Sequence, residues 1–82
     1  MIKLKINEAV TSRILELCSK YNLTINGLAN RCMLTQSTVD HIVSGSSENP
    51  KLLTIVRICA GLNITIVEFF NSPVFDNIET EL

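Results

Sequence analysis

The chain has no tryptophan, one histidine, two prolines and three glycines in 82 residues, and only 5% of it is aromatic. With so few large rings, a core has to be assembled from isoleucine, leucine and valine. A lone histidine gives no support to a zinc site of three or four ligands, so no metal or other cofactor is expected. The three cysteines, Cys18, Cys32 and Cys59, are odd in number and far apart, with no Cys-x-x-Cys pair. Such thiols read as free, buried hydrophobes in a reducing compartment. No apolar run approaches the roughly 18 residues that cross a bilayer. The opening Met1–Ile6 is too short, and alternates with lysine too quickly, for a signal peptide. The expectation is a soluble, cytoplasmic protein without a membrane partner. A basic excess is also missing: the net charge is −1 and the pI about 5.7, which argues against indiscriminate nucleic-acid binding.

What is present is one domain's worth of apolar residues, 46% of the chain, with a mean hydropathy of +0.31. Charge is unevenly placed. Residues 1–67 hold all seven Lys/Arg against Glu8, Glu16, Asp40 and Glu48, whereas residues 68–82 hold Glu68, Asp76, Glu79, Glu81 and no base. The body is mildly basic and the tail acidic.

The apolar spacing predicts five helices. Val10, Ile14, Leu17, Cys18 and Tyr21 mark one face of a first helix over about residues 8–21, ending at Asn22. Thr24 is suited to cap a short second helix through Arg31 that buries Leu28, Ala29 and Cys32. Thr35 caps a third, with Val39 and Ile42 inward and Gly45 at its end. Asn49 and Pro50 open a fourth, burying Leu52, Ile55, Val56, Cys59 and Leu62, with Gly61 and Asn63 marking its end. Thr65 and Glu68, three apart, form a capping box for a short fifth helix carrying Phe69 and Phe70, which Ser72-Pro73 terminates. The expected organisation is an extended arm (1–7), a helical domain (8–71) and an acidic tail (72–82).

The third helix carries the functional signal. Its outer residues, Gln36, Ser37, Thr38, Asp40, His41 and Ser44, are short or flat hydrogen-bonding groups, without the long Lys or Glu that fills an ordinary solvated face. A helix fits the DNA major groove. There Gln pairs with adenine N6 and N7, an imidazole donates to guanine, and hydroxyls serve base edges or phosphates. The helix N-terminus offers backbone N–H groups to a phosphate. A plain polar surface accounts for the same pattern equally well.

The stretch Leu28-Ala29-x-x-x-Met33-Leu34-Thr35-Gln36-Ser37-Thr38-Val39-x-x-Ile42-x-x-Gly45 resembles the helix-turn-helix of the Cro/C1-type (XRE) regulators. Asn49-Pro50, the apolar run from Leu53 to Thr65, and Glu68-Phe69-Phe70 are similar to that family's fourth and fifth helices, so the likeness covers roughly residues 10–71. It implies an all-α, compact, five-helix, lambda-repressor-like domain. It further implies a transcriptional regulator, a repressor, that binds double-stranded DNA as a homodimer on a palindromic operator, with the helix over residues 35–44 in the major groove. Carried over by position, base reading falls on Gln36, Ser37, Asp40 and His41. Phosphate contact falls on Thr24, Thr35, Thr38, Ser44 and Ser46, with Lys51 close by and Asn26 standing in for a glutamine that is Ile25 here. No catalytic residue and no small-molecule substrate is implied.

The chain departs from the pattern in four places. Met33 stands where the turn usually has glycine, which costs about 1 kcal/mol or more if the backbone is left-handed there. Ile25 replaces the phosphate-binding glutamine. The loop after Gly45 is Ser46-Ser47-Glu48 rather than basic, which predicts a shallow salt dependence. Cys18 and Val43 take the places of an arginine–glutamate pair, an exchange that packed hydrophobes tolerate.

Three matters stay open at this level. Val74, Phe75, Ile78 and Leu82 in the tail either pack back onto the first and fifth helices or form a dimer contact. Lys3 and Lys5 sit on either a DNA-touching arm or a frayed terminus. The acidic tail and sparse phosphate ligands also suit a second function class, a protein-interaction module or antitoxin-like adaptor on the same fold. Enzymatic activity is not expected, because no nucleophile–base–orienter set and no glycine-rich phosphate loop can be read from the spacing.

Overall fold

The computed structural model describes residues 3–45 and 49–80. Five α-helices follow one another: α1 (Ile6–Lys20), α2 (Ile25–Arg31), α3 (Gln36–Val43), α4 (Leu52–Leu62) and α5 (Ile66–Phe70). A 3-10 turn (Pro73–Phe75) comes after them. No described helix is long and apolar enough to cross a membrane.

Helix starts follow the threonines. Thr24 Oγ1 accepts from Gly27 N–H at 2.9 Å and Thr35 Oγ1 from Thr38 N–H at 3.1 Å. Thr65 Oγ1 accepts from Glu68 N–H at 3.0 Å while the Glu68 carboxylate accepts from Thr65 N–H at 3.2 Å, the expected capping box. At α1, Glu8 accepts from the backbone of Lys5 at 2.9 Å, so the helix begins at Ile6, two residues before the position that periodicity indicates.

Three helices end the same way. Asn22, Met33 and Asn63 are left-handed, at φ 59°, 56° and 57°. The next residue's N–H reaches back to the helix: Leu23 to Cys18 O (2.8 Å), Leu34 to Ala29 O (2.9 Å) and Ile64 to Cys59 O (3.0 Å). Asparagine tolerates this conformation. Methionine does so only at a steric cost. Gly45, at φ 78°, closes α3 as expected.

The core is aliphatic with one ring. Phe69, Ile14, Leu17, Leu28, Ile58, Val10 and Val39 are fully buried, and the three free cysteines are buried among them. Burial pushes each thiol's pKa up from 9.0. Val43 packs against this cluster and Cys18 belongs to it.

Helix α4 corrects the sequence reading in three respects. Its buried stripe is Ile55, Ile58, Cys59 and Leu62, whereas Leu52 and Val56 are exposed, at 60% and 42%. The segment is apolar at almost every position, so several stripes compete and packing against α2 and α5 selects one. Asn49 and Pro50 stand ahead of the helix: Lys51, extended at φ −69° and ψ 132°, is the N-cap, and no side chain caps that end. Gly61 lies inside α4 rather than ending it. A Cβ there would stand 2.4 Å from Cys32 Sγ and 2.8 Å from Cys32 Cα, so its role is the close approach of α2 and α4.

The tail returns to the body. Leu4 pairs with Ile78 in one parallel bridge, through Leu4 N–H to Asn77 O (3.2 Å) and Glu79 N–H to Leu4 O (2.8 Å). Phe75 stacks with Phe70 and Phe69, at centroid distances of 4.9 and 6.1 Å. Val74, Phe75 and Ile78 are half-buried, so within one chain these residues pack inward; Leu82 lies outside the described residues.

Candidate nucleic-acid interface

The α2–α3 unit is held from both sides. Leu28 and Ala29 of α2 and Val39 and Ile42 of α3 go into the shared core, and half-buried Leu34 packs on it from the turn between them. Thr11 Oγ1 on α1 donates to Ile42 O at 2.9 Å, fixing the far end of α3. With one face buried in this way, the other is left outward. Gln36, Ser37, Asp40, His41 and Ser44 are all exposed.

This outward face is one wall of an open groove of about 1190 Å³. Gln36, Ser37, Thr38, Asp40, His41 and Ser44 line it from α3, and Thr35 from its cap. Asn49, Pro50, Lys51, Leu53, Thr54 and Arg57 line it from the start and first two turns of α4. Among the described residues, none from the tail contributes to the lining. Thr35 and Thr38 share a 2.8 Å hydroxyl–hydroxyl hydrogen bond, and Ser44 Oγ donates to His41 O at 3.2 Å, so these hydroxyls are held in place on the wall.

The structure thus brings all four expected base-reading residues together with Thr35, Thr38, Ser44 and Lys51. Thr24 and Asn26 are exposed at the start of α2 and do not line the groove. Ser46 lies outside the described residues. Thr54 and Arg57 were not singled out from sequence. The available signal was the spacing Lys51, Thr54, Arg57, three residues apart each time, which puts them on one helical face. That face lies off the apolar stripe expected for α4, which shares Ile55, Cys59 and Leu62 with the observed one, but spacing within one helix does not show that the face turns toward α3.

Two exposed cations, Lys51 and Arg57, line the groove, and Lys3 and Lys5 are exposed on the N-terminal segment. Arg13 is engaged with Glu16 and donates to Phe69 O and Glu68 O, each at 2.7 Å, tying α5 to α1. Arg31 donates to Gly61 O at 2.9 Å, where α2 crosses α4. Lys20 lies 5.5 Å from the Tyr21 ring centre. Lys51 and Arg57 are exposed and, among the described residues, make no ion pair, and Asp40 is the only carboxylate that the described residues bring to the groove lining. No cluster of three or more His, Cys, Asp or Glu suited to a metal occurs among the described residues.

Comparison with known proteins agrees with this geometry. No curated protein matches the chain. A crystal structure of the prophage Lp1 protein 11 is similar at a TM-score of 0.79 and 35% identity, over 92% of this chain and 99% of that one. The family model described as helix-turn-helix matches residues 14–69, which span α2, α3 and α4 entirely, the second half of α1 and most of α5. The chain therefore belongs to the Cro/C1-type (XRE) helix-turn-helix family, a family of DNA-binding regulators.

Proposed function

We propose that this protein is a sequence-specific transcriptional regulator, a repressor, that binds a palindromic double-stranded operator as a homodimer and reads the major groove with α3. It works in the cytoplasm, without a cofactor or small-molecule substrate. The observation that carries the reading is the uncovered polar wall of Gln36, Ser37, Asp40 and His41 on a helix whose opposite face is locked in the core.

Each side chain has a chemical role in this reading. The Gln36 carboxamide donates and accepts at once and so suits adenine N7 and N6, and the His41 imidazole donates to guanine. The Asp40 carboxylate accepts from cytosine N4, and Ser37 adapts to either edge. The Thr35, Thr38 and Ser44 hydroxyls and the Lys51 ammonium face phosphates, with Thr24, Asn26 and Ser46 as the outlying positions. One short helix covers only half of a symmetric site, hence the second copy.

Selection of bound sequences from a random duplex pool at two salt concentrations tests binding, specificity and half-site symmetry together. With the selected operator, Gln36→Ala relaxes the preference at one base pair and costs about 1–3 kcal/mol. An unchanged preference removes Gln36 from the reading set. If no sequence is enriched at low salt, the regulator reading fails.

A second reading, a protein-interaction module or antitoxin-like adaptor, is favoured by α5, where Ile66, Val67 and Phe70 are exposed, Val67 at 74%. Apolar side chains grouped on one short helix suit a protein contact, with a second copy or with a different chain. One stoichiometric foreign partner, with no DNA retained at low salt, favours this alternative.

A further inference from the structure

We infer that Arg57, together with Thr54, forms a phosphate-binding site on α4, so that the second wall of the groove holds a DNA strand while α3 faces the bases. The inference rests on the DNA-binding reading above and adds to it a contact that the helix-turn-helix segment itself does not contain.

Three observations converge on it. The first is position. Lys51, Thr54 and Arg57 all line the groove opposite Gln36 and His41, on a stripe that runs about 9 Å along the α4 axis. Each strand of a duplex carries one negative charge per roughly 3.4 Å of axis, so a stripe of this length spans more than one phosphate. The second is availability. Arg13 and Arg31 are committed to backbone carbonyls and Lys20 lies against Tyr21, whereas the exposed Arg57 makes no ion pair among the described residues. The third is need. The segment joining α3 to α4 contains Ser46-Ser47-Glu48 and a single base, Lys51 at its far end, so any further cationic charge for the backbone on this side has to come from α4. Arg57 offers five N–H donors in a planar fork matched to phosphate oxygens, and the Thr54 hydroxyl between the two cations can donate to the same strand.

The test uses the full chain on the selected operator and on a scrambled duplex, with affinity followed by fluorescence anisotropy across a salt series. Each lost phosphate contact lowers the slope of log affinity against log salt by about 0.9 per bound subunit, which is about a 3.5-fold change for a fourfold rise in salt. Arg57→Ala is expected to show that reduction and to weaken both duplexes by the same factor. Arg57→Lys is expected to keep the wild-type slope. Thr54→Val is expected to weaken both duplexes at an unchanged slope, because it removes a neutral donor. Arg57→Gln, which keeps a long polar side chain, supplies the same reading should the alanine variant melt early. An unchanged slope in the neutral variants, or a loss confined to one operator base pair, overturns the phosphate assignment. If the wild-type chain binds neither duplex at any salt, the DNA-binding reading itself falls, an outcome distinct from the other two.

Discussion

Gly61→Ala sets two effects of opposite sign against each other, and the structure decides between them. Mid-helix glycine is worse than alanine by about 1 kcal/mol, so propensity alone predicts a more stable protein. Against this, the new methyl would sit 2.4 Å from Cys32 Sγ and 2.8 Å from Cys32 Cα, where carbon atoms ordinarily stand about 3.5 Å or more apart. The sulfur can rotate away, at the expense of its place 3.7 Å from Ile58 O. The Cα cannot, so α2 and α4 have to separate by roughly 0.7 Å, which also strains the Arg31 hydrogen bond to Gly61 O. Overpacking of this kind costs about 1–3 kcal/mol, leaving a net loss of up to about 2 kcal/mol once propensity is returned. For a domain of this size the melting temperature should fall, by up to about 16 °C. Thermal and urea unfolding followed by far-UV circular dichroism measure the change. Cys32→Ala removes only the sulfur overlap, so its cost should be smaller in the Gly61→Ala background than in the wild type. A Gly61→Ala protein that melts at or above the wild-type temperature would refute the reasoning, because it would mean that helix propensity outweighs the crossing distance.

Two further outcomes follow from the same structure. Met33 is left-handed at φ 56° and 92% exposed, so Met33→Gly relieves about 1–2 kcal/mol of strain, loses no packing, and gives back about 0.5–1 kcal/mol through the looser unfolded chain. The melting temperature should rise by a few degrees, and a fall would show that Met33 makes a stabilising contact. The second concerns alkaline pH. Burial raises the pKa of Cys18, Cys32 and Cys59 above 9.0, so above that pH the unfolded chain loses protons that the native state keeps. Stability is therefore flat with respect to these thiols below pH 9 and falls above it, at no more than about 1.4 kcal/mol per pH unit per thiol. Urea titrations of the wild type and a triple Cys→Ala variant from neutral to alkaline pH separate the thiols from other groups; equal slopes would remove them as the cause.

What could be read from the residues was mostly local chemistry. Thr24, Thr35 and the Thr65–Glu68 pair cap helices because a hydroxyl one turn before an N–H has only one useful thing to bond, and Asn22, Asn63 and Gly45 end them because they tolerate positive φ. The outward set of α3 was legible for a similar reason: Val39 and Ile42 leave only one way for an eight-residue helix to face. The α4 register was not. Leu52, Leu53, Ile55, Val56 and Ile58 satisfy several helical stripes, and only the positions of α2 and α5 choose among them. Arg57 is outward under either stripe; its place in the groove depends on how α4 sits beside α3, which local spacing does not show. Gly61 looked like a terminator because its real neighbour, Cys32, is distant in sequence. The tail was undecided for the same reason: Phe75 meets Phe70 and Phe69 only once α1 and α5 have come together.

The bridge between Leu4 and Ile78 ties almost the first described residue to almost the last. Closing so large a loop demands that nearly all of the intervening chain already be placed, and contacts of this span form late. During synthesis, α1 to α5 can assemble while the N-terminal arm still waits for its partner, because residue 78 follows all five helices in the sequence. A nascent chain stalled shortly before that residue would thus carry a formed groove and an unfastened arm, which makes the arm's protease sensitivity a timer for completion of the fold.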